Sequence, residues 1–170
     1  MKKLLVLAVL LAIGAVGYGL ARQAEAKTDN QAELAALEAH LIASVTAKDL
    51  AGVMSVYVPD QSLFVFDVIP PRQYVGFDAY RDDWKGVLAS FKGPIGAELS
   101  DLKITSSDNL AFGHNIQHFT GTDLSGKPID WILRVTDCYK RINGKWLIVH
   151  EHYSVPVDLQ TAKAELTSQP

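Results

Sequence analysis

The chain has 170 residues, 48% hydrophobic and 21% charged, with a formal net charge of −3. That suffices for one domain with a true core and is too apolar for a disordered chain. A mildly acidic chain without a basic stripe gives nucleic acid little to bind, and the single cysteine, Cys138, cannot close an intramolecular disulfide.

The first 26 residues carry a targeting pattern. Lys2-Lys3 is a basic start, residues 4–20 are apolar, and Ala24-Glu25-Ala26 fits a small-x-small cleavage site. An uncleaved membrane span is the alternative, because about 17 apolar residues is the lower edge for a spanning helix. The Ala-x-Ala and the polar run after it favour cleavage after Ala26. The expected destination is the bacterial periplasm or the medium, with no stable membrane anchor after cleavage. The remainder keeps 13 basic and 18 acidic residues.

Residues 29–48 read as an amphipathic helix, with Leu34, Leu37, Leu41 and Val45 on its apolar stripe and Glu33, Glu38 and Lys48 elsewhere. Asp49 can cap a second, short helix running to about Tyr57. Residues 62–67, SLFVFD, have strand composition, and Pro70-Pro71 forces a loop after them. Residues 78–90 form a third helix on which Tyr80 and Trp84 share a face. From Pro94 the chain alternates: a strand over 97–105 with a bulge between Leu99 and Leu102, then a turn and a long strand over 110–122. Two further runs flank Asn143-Gly144, a dipeptide suited to a tight hairpin. Cys138, inside one of them, reads as a small buried apolar residue. Residues 157–170 read as a frayed tail. The order implies one α+β domain over residues 27–156, with about three N-terminal helices packed in a strongly curved, mostly antiparallel sheet.

Several polar residues stand where burial is costly. Asp137 lies mid-strand, far from any turn, and needs a pocket or a partner. Asp67 ends its strand, where a carboxylate can serve a ligand or simply cap the following loop. The Tyr80 hydroxyl needs a partner, while Trp84 is an ordinary core aromatic or a pocket wall. Gln117 shares a face with Gly113 and Asn115, which suits a cavity wall or an exposed polar face. His150 and His152 point the same way on a strand, but no third ligand is placed beside them, so no metal is expected.

Asn143-Gly144-Lys145-Trp146, His150-x-His152-x-Ser154 and Tyr74-Val75-Gly76 resemble the nuclear transport factor 2-like superfamily, in particular its SnoaL-like and ketosteroid-isomerase-like members. The resemblance spans residues 31–156 and implies a cone-shaped fold, frequent homodimers through the outer sheet face, and no cofactor. It places Asp67 where ketosteroid isomerases carry a general base and Asp137 near their protonated carboxyl; Leu41 stands in place of their oxyanion tyrosine. The terminal strands are also similar to the calcium/calmodulin-dependent kinase II association domain, whose pocket arginines match Gln117, Asp137 and Tyr153 and whose helix-borne histidine matches Tyr80. Loss of those cations favours a neutral or cationic ligand.

Hairpin register decides what the pocket holds. A two-residue loop pairs Ile142 with Lys145 and sets Asp137 opposite His150. A three-residue loop with Gly144 as a bulge pairs Arg141 with Lys145 and gathers Asp137, Val149, Glu151 and Tyr153 on one side. Both relatives put pocket residues at Asp137 and Tyr153, so the bulged loop is expected. The resulting reading is an exported protein that binds a small, largely apolar neutral molecule through Tyr80, Trp84, Gln117, Glu151 and Tyr153. The alternative is an isomerase, cyclase or dehydratase using Asp67 and Asp137 as acid–base pair.

Overall fold

A computed structural model describes residues 29–168 of the chain. The proposed signal segment, residues 1–26, lies outside the described residues. Among the described residues no helix is long and apolar enough to cross a membrane.

Helix α1 occupies residues 29–46. Leu34, Leu41 and Val45 are buried, and so is Glu38, which falls between them at the spacing of three and four that defines the inward stripe. Lys48, with φ of 55°, breaks the helix. Helix α2, Leu50–Met54, is shorter than the sequence suggests, and Asp49 holds its N-cap position without a side-chain capping bond. The following residues leave the helix to bond the sheet: Val58 N–H donates to the Ile148 carbonyl and Ile148 N–H to that of Val56.

Strands β1 (Phe64–Phe66) and β2 (Tyr74–Val75) flank the loop containing Pro70-Pro71, and helix α3 follows over Phe77–Ser90. Strands β3 (Gly96–Ser106), β4 (Leu110–Thr122), β5 (Pro128–Ile142) and β6 (Lys145–Ser154) form the expected meander. The sheet order is β2-β1-β6-β5-β4-β3; β1 runs parallel to β6 and all other neighbours are antiparallel. A register shift in β3 between Ser100 and Lys103 bends the outer edge, as the sequence leads one to expect. Three helices packed against this curved sheet make an α+β cone. Alternation along β4 and β5 turns Ala111, Asn115, Gln117, Phe119, Leu133, Val135, Asp137 and Tyr139 toward the helices.

The hairpin corrects the sequence reading in an instructive way. Its loop has two residues, Asn143 and Gly144, both at positive φ, and pairs Ile142 with Lys145. The bulge is displaced into β6. Tyr139 pairs with Ile148 and Cys138 with His150, leaving Val149 as the extra residue. The slip sets Asp137 opposite Glu151 and Val135 opposite Tyr153. The expected inward set is therefore reached by a different device, since a bulge anywhere between the turn and Asp137 reverses the faces beyond it.

Two other expectations change. Cys138 is half-buried rather than core, because the alternation that sends Asp137 inward sends its neighbour outward. The tail is not frayed over its described part: strands β7 (Val157–Asp158) and β8 (Lys163–Ala164) pair, and the Leu166 carbonyl accepts from Ile132 N–H at 2.6 Å. That bond uses part of the β5 edge left uncovered where β6 ends, which blunts an open edge.

Candidate functional site

The interior of the cone holds two polar regions. The first lies toward the hairpin turn and is sealed. Glu38, Asp137 and Glu151 are each 0% exposed, and among the described residues no lysine, arginine or histidine side chain is buried. Hydroxyls serve instead. Tyr57 donates to both Glu151 oxygens at 3.0 Å and Tyr80 to Oε2 at 2.5 Å, while Tyr139 donates to Glu38 Oε1 at 2.7 Å. Asn115 donates to Asp137 Oδ2 at 3.3 Å, Asp137 Oδ1 has no hydrogen-bond partner among the described residues, and Asp137 stands opposite Glu151 across the β5–β6 pair. Gly113 makes room for this packing, since a Cβ there would stand 3.0 Å from the Tyr139 hydroxyl.

With no buried cation among the described residues, burial favours the neutral form of these carboxyls. Burial pushes Glu151 up to about 8 against the opposing bonds from Tyr80 and Tyr57. Burial likewise raises Glu38 to about 7, against the Tyr139 bond. Asp137 is held well above the usual carboxylate range, by burial first and then by the charges of Glu38 and Glu151. The sealed region is a proton-holding, hydroxyl-lined layer.

The second region is a cavity at the other end of β5, which reaches the surface beside Asp67, Val68 and half-exposed Ile69. Its walls are Val45, Val87, Ile95, Leu133 and five aromatic rings: Trp84, Phe91, Phe119, Trp131 and Tyr153. Asp67 and Asp83 supply its carboxyls. The space open to water-sized molecules is about 60 Å³, several times what one water needs. Asp67 accepts from the Val68 N–H and, at 3.4 Å, from Ile69 N–H, so it caps its loop while lining the cavity. Burial, then the Asp83 charge, raises it to about 6, with those two backbone bonds resisting. Asp83 accepts from the Tyr74 hydroxyl at 2.6 Å and is itself raised by burial. Tyr153 donates to Gln117 Oε1 at 3.3 Å, and the buried Trp84 Nε1–H has no partner among the described residues.

Of the residues singled out in the sequence, Asp67, Trp84 and Tyr153 meet at this cavity. Tyr80 and Glu151 lie behind it in one hydrogen-bonded unit, and the Tyr80 ring packs against Trp84 with centroids 6.1 Å apart. Gln117 supports Tyr153 from the wall. Asp137 is not among the lining residues, so the expected convergence of Asp67 and Asp137 on one space is absent. Glu151 stands between, and its carboxyl feels the Asp67 charge. His150 and His152 face outward beside Phe64 and Phe66; His150 Nδ1 lies 2.8 Å from the Phe64 carbonyl.

Sequence reasoning missed Glu38, Tyr57, Tyr139, Asp83 and the ring set of Phe91, Phe119 and Trp131. The signal for Glu38 was present: Leu34, Glu38, Leu41 and Val45 form one helical stripe. Tyr139 stands two residues from Asp137 and so shares its face. Nothing local marks Phe91, which the turn after α3 carries into the cavity.

Comparison with known proteins agrees with this architecture. A family model described as a SnoaL-like domain matches residues 34–158. A nuclear transport factor 2-like protein of unknown function from Pseudomonas putida KT2440 is similar at 29% identity and a TM-score of 0.76, over 84% of this chain and 98% of that one. A candidate calcium/calmodulin-dependent protein kinase II association domain from Xanthomonas campestris shares the fold at 24% identity and a TM-score of 0.62, over 72% and 84%. A candidate scytalone dehydratase from Novosphingobium aromaticivorans shares it at 14% identity and a TM-score of 0.68, over 79% and 89%. No curated protein matches the chain. With a family match over most of its length and this fold, the chain belongs to the SnoaL-like domain family of the nuclear transport factor 2-like superfamily.

Proposed function

We propose that the chain is an exported protein that binds a small, largely apolar molecule in the cavity beside Asp67. The supporting observation is the wall itself: five aromatic rings and several aliphatic side chains around a space that reaches the surface, with polar groups restricted to a few points. Apolar clefts with sparse, placed polar groups are the usual form of small-molecule sites. Asp67 at the mouth is the group that would orient the ligand. A screen of small cyclic ketones, alcohols and amines for thermal stabilisation tests this. Compounds that stabilise the native chain and lose that effect in Leu133→Trp, which fills the cavity, support it; stabilisation surviving the filled cavity contradicts it.

A second reading is acid–base chemistry of the isomerase, cyclase or dehydratase type, favoured by the elevated Asp67 carboxyl in an apolar mouth. A carboxylate near 6 is a competent base close to neutral pH. It would remove a proton from a carbon next to a carbonyl, becoming a neutral carboxyl as the enolate forms. Asp137 takes no direct part in this scheme, because it does not line the cavity. Solvent deuterium entering such a ketone, lost in Asp67→Asn, is the expected result; exchange unchanged by that substitution would contradict it.

The outer sheet face, where Phe112 is 50% exposed, is the surface proposed to pair two copies of the chain. Sedimentation of Phe112→Glu as a monomer beside a dimeric native chain is the matching test.

A further inference from the structure

We infer that the cavity selects a positively charged apolar molecule, an amine or ammonium with a small hydrocarbon body, over its neutral counterpart. This rests on the cavity being a binding site, and adds the sign of the ligand's charge. Three observations carry it.

First, the wall is unusually aromatic: Trp84, Phe91, Phe119, Trp131 and Tyr153 all contribute, with Phe91 and Trp131 edge to face at 6.2 Å. The face of an aromatic ring is negative, and several rings around one space form a cage for a cation. Second, both charged groups lining the cavity are carboxyls, Asp67 and Asp83, and no lysine, arginine or histidine joins them among the described residues. Each has its hydrogen bonds: Asp67 from the Val68 and Ile69 N–H groups, Asp83 from the Tyr74 hydroxyl. Neither makes an ion pair among the described residues. Third, the two carboxyls are near enough for the Asp83 charge to oppose ionisation of Asp67. A cation between them replaces this repulsion with two attractions in a partly desolvated setting, where charges count for more than in water.

Benzylamine and benzyl alcohol are a matched pair for the test, titrated by calorimetry at about pH 7.5, where the amine is protonated and Asp67, raised to about 6, is ionised. Benzylamine is expected to bind about tenfold more tightly than benzyl alcohol. The preference should shrink in Asp67→Asn and in Asp83→Asn, each of which keeps an oxygen for the existing donors. Equal or tighter binding of the alcohol, or a preference that survives both substitutions, overturns the cation site and leaves the apolar pocket standing. If neither compound binds and the cavity-filling variant behaves like the native chain with every compound screened, the pocket reading falls and this inference with it.

Discussion

The two ends of the cone interior use the same materials, carboxyls beside aromatic rings, to opposite ends. Toward the hairpin, three carboxyls are sealed with tyrosine hydroxyls on two of them, and burial raises the pKa of each. At the mouth, Asp67 and Asp83 stand beside a space that reaches the surface, and Asp67 is raised only to about 6. Access makes the difference. A carboxyl shut in with donors becomes part of the core, whereas one at a solvent-reached apolar wall can exchange a proton or meet a ligand. Fold alone does not assign function, so the contrast between the two ends is what a test has to address.

The sharpest way to break this contrast is Glu151→Ala. It leaves the Tyr57 and Tyr80 hydroxyls without their acceptor and opens a void, at an expected cost of about 3 kcal/mol or more in urea unfolding. Glu151→Gln keeps an acceptor and should lose much less. A native-like midpoint for the alanine variant would show that the sealed layer is not structural.

The next effect is set by pH. Glu38 and Glu151 rise from 4.5 to about 7 and about 8 on folding, so the folded chain binds protons that the unfolded chain has released. Stability is then greatest below pH 4.5 as far as these groups are concerned, and is lost as pH climbs through that window, by an expected few kcal/mol in all. Asp137 acts in the same direction. Denaturant midpoints between about pH 5 and 8 measure the slope, and Glu38→Gln should flatten it. A flat or rising native profile would contradict proton storage.

Smaller effects belong to the mouth. Asp67→Asn retains an oxygen for the Val68 and Ile69 N–H groups and should change stability by less than about 1 kcal/mol while weakening ligand binding. Of similar size, Trp84→Phe trims a buried indole to a smaller ring while removing an unpaired N–H, so unliganded stability should fall by about 1 kcal/mol. Urea unfolding of the variant beside the native chain measures the difference.

Much of the fold was legible because its signals are local. The α1 stripe, the alternation of β4, the Pro70-Pro71 stop and the Asn143-Gly144 turn each follow from backbone preference or period. The displaced bulge was not legible, since Val149 is as suitable beside the core as in it. The buried acids were partly hidden by type. Glu38 occupies an apolar-stripe position, yet a charged residue is ordinarily assigned to solvent unless a partner such as Tyr139, 101 positions away, is known. At the mouth, Asp67, Trp84 and Tyr153 could be singled out from strand and helix positions. The ring set around them depends on how α3 hands over to β3, which no short pattern encodes.

Carboxyl-carbon NMR of the chain labelled at Asp and Glu, titrated with and without benzylamine, tests the division between sealed and open ends most directly. The expected result is Asp67 titrating near 6 and shifting when the amine is added, while Glu38 and Glu151 titrate near 7 and 8 and do not respond to it. Ionisation of Glu38 and Glu151 in the ordinary carboxylate range, or an amine response at Glu151 without one at Asp67, would contradict the account.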